Sequence, residues 1–188
     1  MANRTQIVCL CEGKKDSVDK QFISALLKTL RPAWVRPWKS GIVRIEPCGG
    51  WSGVIERTPE ELKLCLKMGG HTTLMVWADC DHNRADCDAL KEKFWRKAQQ
   101  SGISQEDFDR IVFIFPKDRI ENWIQFLNTG WTNEAEEGPR IKHPRETADA
   151  AKKLAAYCET RRPMKNMPLS LQWSCKNWQA FDGRMKTA

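Results

Sequence analysis

At 188 residues, with 41% hydrophobic and 29% charged side chains, the chain is long enough for one packed core and too apolar to be disordered. Its longest apolar runs, at residues 73–78 and 111–115, are about a third of the roughly 20 residues that a membrane-spanning helix needs. No secretory pattern opens the chain, so a cytoplasmic protein is expected. The formal charge of +7 sits at one end: residues 139–188 carry eleven Lys or Arg against four Asp or Glu, which suits a polyanionic partner.

The run Gln6–Cys11 reads as a buried strand ended by Glu12 and Gly13. From Asp16, apolar residues recur at three and four (Val18, Phe22, Ile23, Leu26, Leu27, Leu30), a helix that Pro32 stops. Residues 42–45 read as a second strand, followed by a turn at Gly49 and Gly50 and a helix over 59–68 closed by Gly69 and Gly70. Residues 73–78 form an uninterrupted apolar run, the mark of a central parallel strand, with Asp79, Cys80 and Asp81 at its carboxyl end. A helix over Cys87–Gln100, a fourth strand over 110–115 and a helix over 120–127 follow.

Strand and helix thus alternate four times across residues 1–128. This predicts an α/β domain with a mostly parallel four-stranded sheet covered on both faces and a site beyond the strand carboxyl ends. Residues 129–144 read as a surface loop over that site, 146–160 as a helix, and 161–188 as a basic segment with a short helix from Lys176. Residues 129–188 are expected to be a basic, mostly helical extension packed on the core.

The eight cysteines are expected to be thiols in a reducing compartment, and Cys9, Cys11, Cys48, Cys80 and Cys87 fall in or beside strands, where Cys serves as a small apolar residue. A zinc site through Cys80, His82 and Cys87 is the sharper alternative, but no CxxC pair supports it.

Parallel strands bring Glu12, Asp79 and Asp81 to one sheet edge, and Asp79 and Asp81, two apart, can face the same side. Mg²⁺ takes oxygen ligands and commonly binds through one or two carboxylates plus waters and phosphate, with Mn²⁺ as a substitute, so this trio is a candidate metal site. Taken singly, Glu12 could be a solvated turn residue, and the Asp-x-Asp a cap for the helix at Cys87.

The segments IVCLCEGKKD and LMVWADCDHN resemble the TOPRIM domain shared by topoisomerases, primases and the overcoming-lysogenization-defect nucleases, in which one strand ends in Glu-Gly and a later one in Asp-x-Asp. The resemblance spans about residues 5–127 and implies a TOPRIM-like fold, with Glu12 as general acid or base or metal ligand and Asp79 and Asp81 on Mg²⁺. The stretch PKDRIENWI resembles a segment of small standalone TOPRIM proteins of bacterial defence, and implies Glu121 as a further metal carboxylate and a place for Trp123. The single tyrosine, Tyr157, falls on a predicted C-terminal helix, which argues against a topoisomerase, and no GK[ST] phosphate loop is present, so any ATP-driven control falls to a separate ATPase partner.

The expected activity is a Mg²⁺-dependent nuclease in which Glu12 is the base, with Lys14, Lys15 and Lys117 near the scissile phosphate and Arg161 and Arg162 among the nucleic-acid contacts. Trp34 and Trp38, interleaved with Arg31, Arg36 and Lys39, are candidates for base stacking. The rival class is a module of the same fold that binds nucleic acid or a partner protein without cutting.

Overall fold

The computed structural model describes residues 6–30, 42–69, 72–81, 86–162 and 164–187. Four strands, β1 (Gln6–Cys11), β2 (Val43–Pro47), β3 (Thr72–Trp77) and β4 (Val112–Ile114), form one sheet in the order β2-β1-β3-β4, and every pairing is parallel. The crossovers are α1 (Val18–Leu30), α2 (Trp51–Lys67) and α3 (Cys87–Gln100), the last followed by the single turn α4 (Gln105–Phe108). After β4 come α5 (Ile120–Thr129), α6 (Pro144–Thr160) and α7 (Leu169–Thr187). The protein is an α/β fold, and no helix among the described residues is long and apolar enough to cross a membrane.

Strand periodicity divides the core. Ile7, Cys9, Cys11, Met75 and Trp77 face one cluster, shared with α1, α5, α6 and α7. Val8, Leu10, Leu74, Val76 and Ala78 face the other, shared with α2 and α3. Being buried on both faces is why β1 and β3 read as unbroken apolar runs. Helix α6 packs mainly on α1 and α5, and its Ala150, Ala151, Leu154 and Ala155 belong to the first cluster.

Three helices begin earlier than the sequence predicts, α6 by only two residues, at Pro144. Helix α2 starts at Trp51 rather than Pro59 and holds Pro59 inside it. Pro59 withholds a donor from the Ile55 carbonyl, but burial of Val54, Leu62 and Cys65 keeps the helix continuous. Helix α7 starts at Leu169 rather than Lys176, because it straddles the sheet edge instead of lying on one face: Leu171, Cys175 and Trp178 enter the first cluster while Trp173 packs on the second.

Edge strand β4 shows what α7 does there. The outward N–H of Phe115 donates to Ser174 Oγ at 3.0 Å, and that of Lys117 donates to Ser170 Oγ at 3.2 Å. Ser170 Oγ also accepts from Trp123 Nε1 at 2.8 Å and donates to Glu134. Two serines one helical turn apart thereby satisfy main-chain groups that an open edge would leave exposed.

Candidate functional site: an acidic cluster at the strand ends

Past Cys11, β1 turns at Gly13, whose φ of 86° favours glycine; a Cβ there would come within 2.6 Å of Ser17 Cβ. Ser17 accepts from the N–H of Lys20 at 3.3 Å and so caps α1, placing Asp19 in its first turn. Past Trp77, β3 stays paired: Ala78 N–H donates to Ile114 at 3.2 Å and Cys80 N–H to Pro116 at 2.7 Å, with Cys80 bridged to Lys117. The extended backbone turns Cys80 to the α3 side with Val76 and Ala78, and Asp79 to the α1 and α5 side with Met75 and Trp77.

Glu12 ties the two strand ends together, its Oε1 accepting the N–H of Asp79 at 2.8 Å. Burial drives the Asp79 carboxyl well above the usual carboxylate range, and the charges of Asp19, Glu12, Asp81 and Glu121, in that order, drive it further. Burial likewise lifts Asp19 to about 6, with Glu121 adding to the rise against the opposing hydrogen bonds from its own backbone and Ser17. Glu121, in the first turn of α5, is raised by burial, partly offset by Arg119. The charges of the other four acids thus act on Asp79, and that of Glu121 on Asp19 as well, beside the N-termini of α1 and α5, where helix dipoles favour anions.

The structure thus gathers Glu12, Asp79, Asp81 and Glu121 electrostatically, and adds Asp19, which sequence reasoning missed. The cap of α3 is Asp86, which accepts the N–H of Ala89 at 2.8 Å; neither Asp79 nor Asp81 plays that part. Asn122, also missed, is buried and fastens the loop over residues 131–143: its Nδ2 donates to Glu136 at 3.0 Å and to Lys117 at 3.3 Å, and Thr132 donates to its Oδ1 at 2.9 Å. Gly138 lies so close to α5 that a Cβ would come within 2.7 Å of the Asn122 nitrogen.

Lys14 and Lys15 are exposed in the turn between β1 and α1. Lys117 borders a cleft on the α3 side of the strand tip. Arg161 and Arg162 are exposed at the far end of α6, with Arg161 in the left-handed conformation. Trp123 is a core residue, edge-on to Trp77. Arg31, Trp34, Arg36, Trp38, Lys39 and His82 lie outside the described residues. No disulfide joins the cysteines, and Cys9, Cys11, Cys80 and Cys87 are buried.

The family described as a protein of unknown function, DUF3226, matches residues 6–143, most of the chain. The chain belongs to the DUF3226 family. The match takes in this DUF3226 protein's whole sheet and its acidic cluster, and ends at His143, the cap of α6. No curated protein matches the chain.

The DUF3226 cluster offers only carboxylate oxygens, the donor chemistry of Mg²⁺ or Mn²⁺. Among the described residues no three of its acids, nor any His or Cys, meet as a ready-made ligand set. The described acids therefore form no closed protein cage for a metal.

Proposed function

We propose that this DUF3226 protein is a metal-dependent nuclease of the TOPRIM type, cutting phosphodiester bonds in nucleic acid. One observation carries the reading: Glu12 Oε1 accepts the Asp79 N–H at 2.8 Å and so joins the ends of two adjacent parallel strands, where burial first, and then the charges of Asp19, Glu12, Asp81 and Glu121, raise the Asp79 carboxyl. Such crowding opposes folding at neutral pH, and a divalent cation would relieve it.

One or two of Asp79, Asp81 and Glu121 would hold Mg²⁺, with Mn²⁺ as a substitute, and Asp19 would add negative charge that favours the cation. When bound, Mg²⁺ supplies Lewis acidity toward a phosphoryl oxygen. Glu12, oriented by its hydrogen bond from the Asp79 N–H, would take the proton of the attacking water. Lys14 and Lys15, in the turn that follows Glu12, would meet backbone phosphates, and Arg161 and Arg162 would extend the contact along the strand. A cytoplasmic effector role in anti-phage defence, under a separate ATPase or regulatory partner, belongs to the same proposal and rests on the TOPRIM resemblance.

The test is cleavage of DNA and RNA by the purified chain in Mg²⁺, Mn²⁺ and EDTA, with and without cell extract as a source of partner. Glu12→Gln keeps an oxygen for the Asp79 N–H and removes the base, so a loss of about 10²-fold or more in rate is expected. Cleavage in EDTA, or undiminished cleavage by Glu12→Gln, would refute the mechanism. Binding without cleavage under every condition would make the chain a nucleic-acid binding module.

A further inference from the structure

On the other side of the strand tip from Asp79 lies a cleft of about 420 Å³, within the size range of small-molecule sites. Cys80, between the two site aspartates in sequence, forms part of its wall, as do Lys117 and Ser170. The cleft and the acidic cluster are thus one residue apart along β3, a step of about 3.3 Å.

The indole of Trp173 borders this cleft and is held rigidly. It stacks on Phe115 with ring centroids 5.2 Å apart and planes 13° from parallel, and its Nε1 donates to Asp88 Oδ1 at 2.9 Å. A flat aromatic platform fixed by both packing and a hydrogen bond is pre-organised to receive another flat ring at little entropic cost. Leu169, 78% exposed at the mouth, adds apolar surface where a soluble protein has no folding reason to show it.

The rim is acidic as well. Asp86, Asp88 and Glu134 all line the cleft. Asp88 is engaged by Trp173 and Glu134 by Ser170, while Asp86 caps α3 through Oδ1. A carboxylate has about four lone-pair positions, so these groups can accept further hydrogen bonds from a ligand that brings donors.

We propose that this cleft is a base pocket: it takes one unpaired nucleobase carrying an exocyclic amino group, stacked on Trp173 with the amino edge toward Asp86 and Glu134. The proposal rests on the nuclease reading for why a nucleotide comes there. A phosphate at the Asp79 and Asp81 side of the strand tip places a neighbouring base within reach of the cleft across Cys80. A base can enter only when unstacked, so the substrate class is single-stranded or locally unpaired nucleic acid. Uracil and thymine offer carbonyl oxygens where cytosine and adenine offer amino groups, so at that position Asp86 and Glu134 favour the latter, even with Lys117 elsewhere in the wall.

Cytidine and uridine test this cleanly, since they differ at the edge in question and carry no phosphate to involve the acidic cluster. Each is titrated into the full chain in EDTA, following the indole N–H resonance of Trp173, identified by its disappearance in Trp173→Phe. Cytidine should shift that resonance saturably and bind about tenfold tighter than uridine. The double variant Asp86→Asn with Glu134→Gln, which retains oxygen acceptors for the α3 cap and Ser170, should lose the preference while keeping its melting temperature. Ten-residue oligocytidine should likewise outcompete oligouridine. Equal binding of the two nucleosides, binding of neither, or a preference that survives the double variant would overturn the pocket even if metal-dependent cleavage proceeds. A cytidine preference with no cleavage under any metal would keep the pocket and defeat the nuclease.

Discussion

Asp79 and Asp19 are held in the folded protein nearer to their protonated forms than they are in an unfolded chain, and this fixes the sign of a pH effect. Asp19 rises from an ordinary 3.8 to about 6 on folding, so between about 4 and 6 the folded state binds more protons than the unfolded one. The stability that protonation confers is complete below about 4 and is lost as the pH rises through about 6. In EDTA the melting temperature should therefore fall between pH 5 and pH 7.5, and Asp79→Asn, with one charge fewer in the crowd, should melt at the same temperature or higher at pH 7.5 with a flatter profile. Thermal unfolding across that range is the measurement. A wild-type melting temperature that climbs with pH, or an unfolded variant, would make these acids partners in the fold rather than a crowded site. Glu12, Asp79 and Asp81 were legible in the sequence because each ends an unbroken apolar run, which locates a strand terminus. Asp19 was not, since an acid in a first helical turn is ordinary. Only the packing of α1 beside the tip of β3 brings it near Asp79.

Among the elements, α7 has the most to say about β4. Ser170 and Ser174 are the partners of two main-chain N–H groups on an edge strand, and Ser170 also receives the Trp123 indole. Replacing a serine by alanine leaves a buried donor unmet, at about 1–3 kcal/mol each. Ser174→Ala should destabilise by about that amount and Ser170→Ala by more, because two donors lose their acceptor. Urea unfolding of the two variants checks the order, and equal, negligible losses would mean that α7 is not what closes the edge. The start of α7 escaped the sequence reading for the same structural reason: a helix that buries Trp173 on one side of the sheet edge and Leu171 and Cys175 on the other shows no single apolar stripe. The sequence places the start of α2 at Pro59, a residue favoured in the first turn of a helix, whereas the structure carries the helix back to Trp51 through Gly53. Gly53 is there because a Cβ would collide with the Cys48 carbonyl, at 2.2 Å.

Across the whole molecule, the alternation of strands and helices was enough to give a parallel sheet, because β1 and β3 need cover on both faces and only crossover helices supply it. The same topology brings Glu12 and Asp79, 67 residues apart, into one hydrogen bond. Charge follows the architecture: Glu12, Asp19, Asp79, Asp81 and Glu121 gather at the carboxyl edge of the sheet while the excess of Lys and Arg lies in residues 139–188, around α6 and α7. We propose that the acidic centre holds divalent metal while the remaining charge of the protein attracts polyanions. The most direct measurement is a titration of the purified chain with Mn²⁺, in which the electron paramagnetic resonance signal of the free ion falls as it binds. The account predicts modest binding of one or two Mn²⁺ that Mg²⁺ displaces and that Asp79→Asn abolishes with its fold intact. An undiminished free-ion signal, or equal binding by wild type and Asp79→Asn, would contradict it.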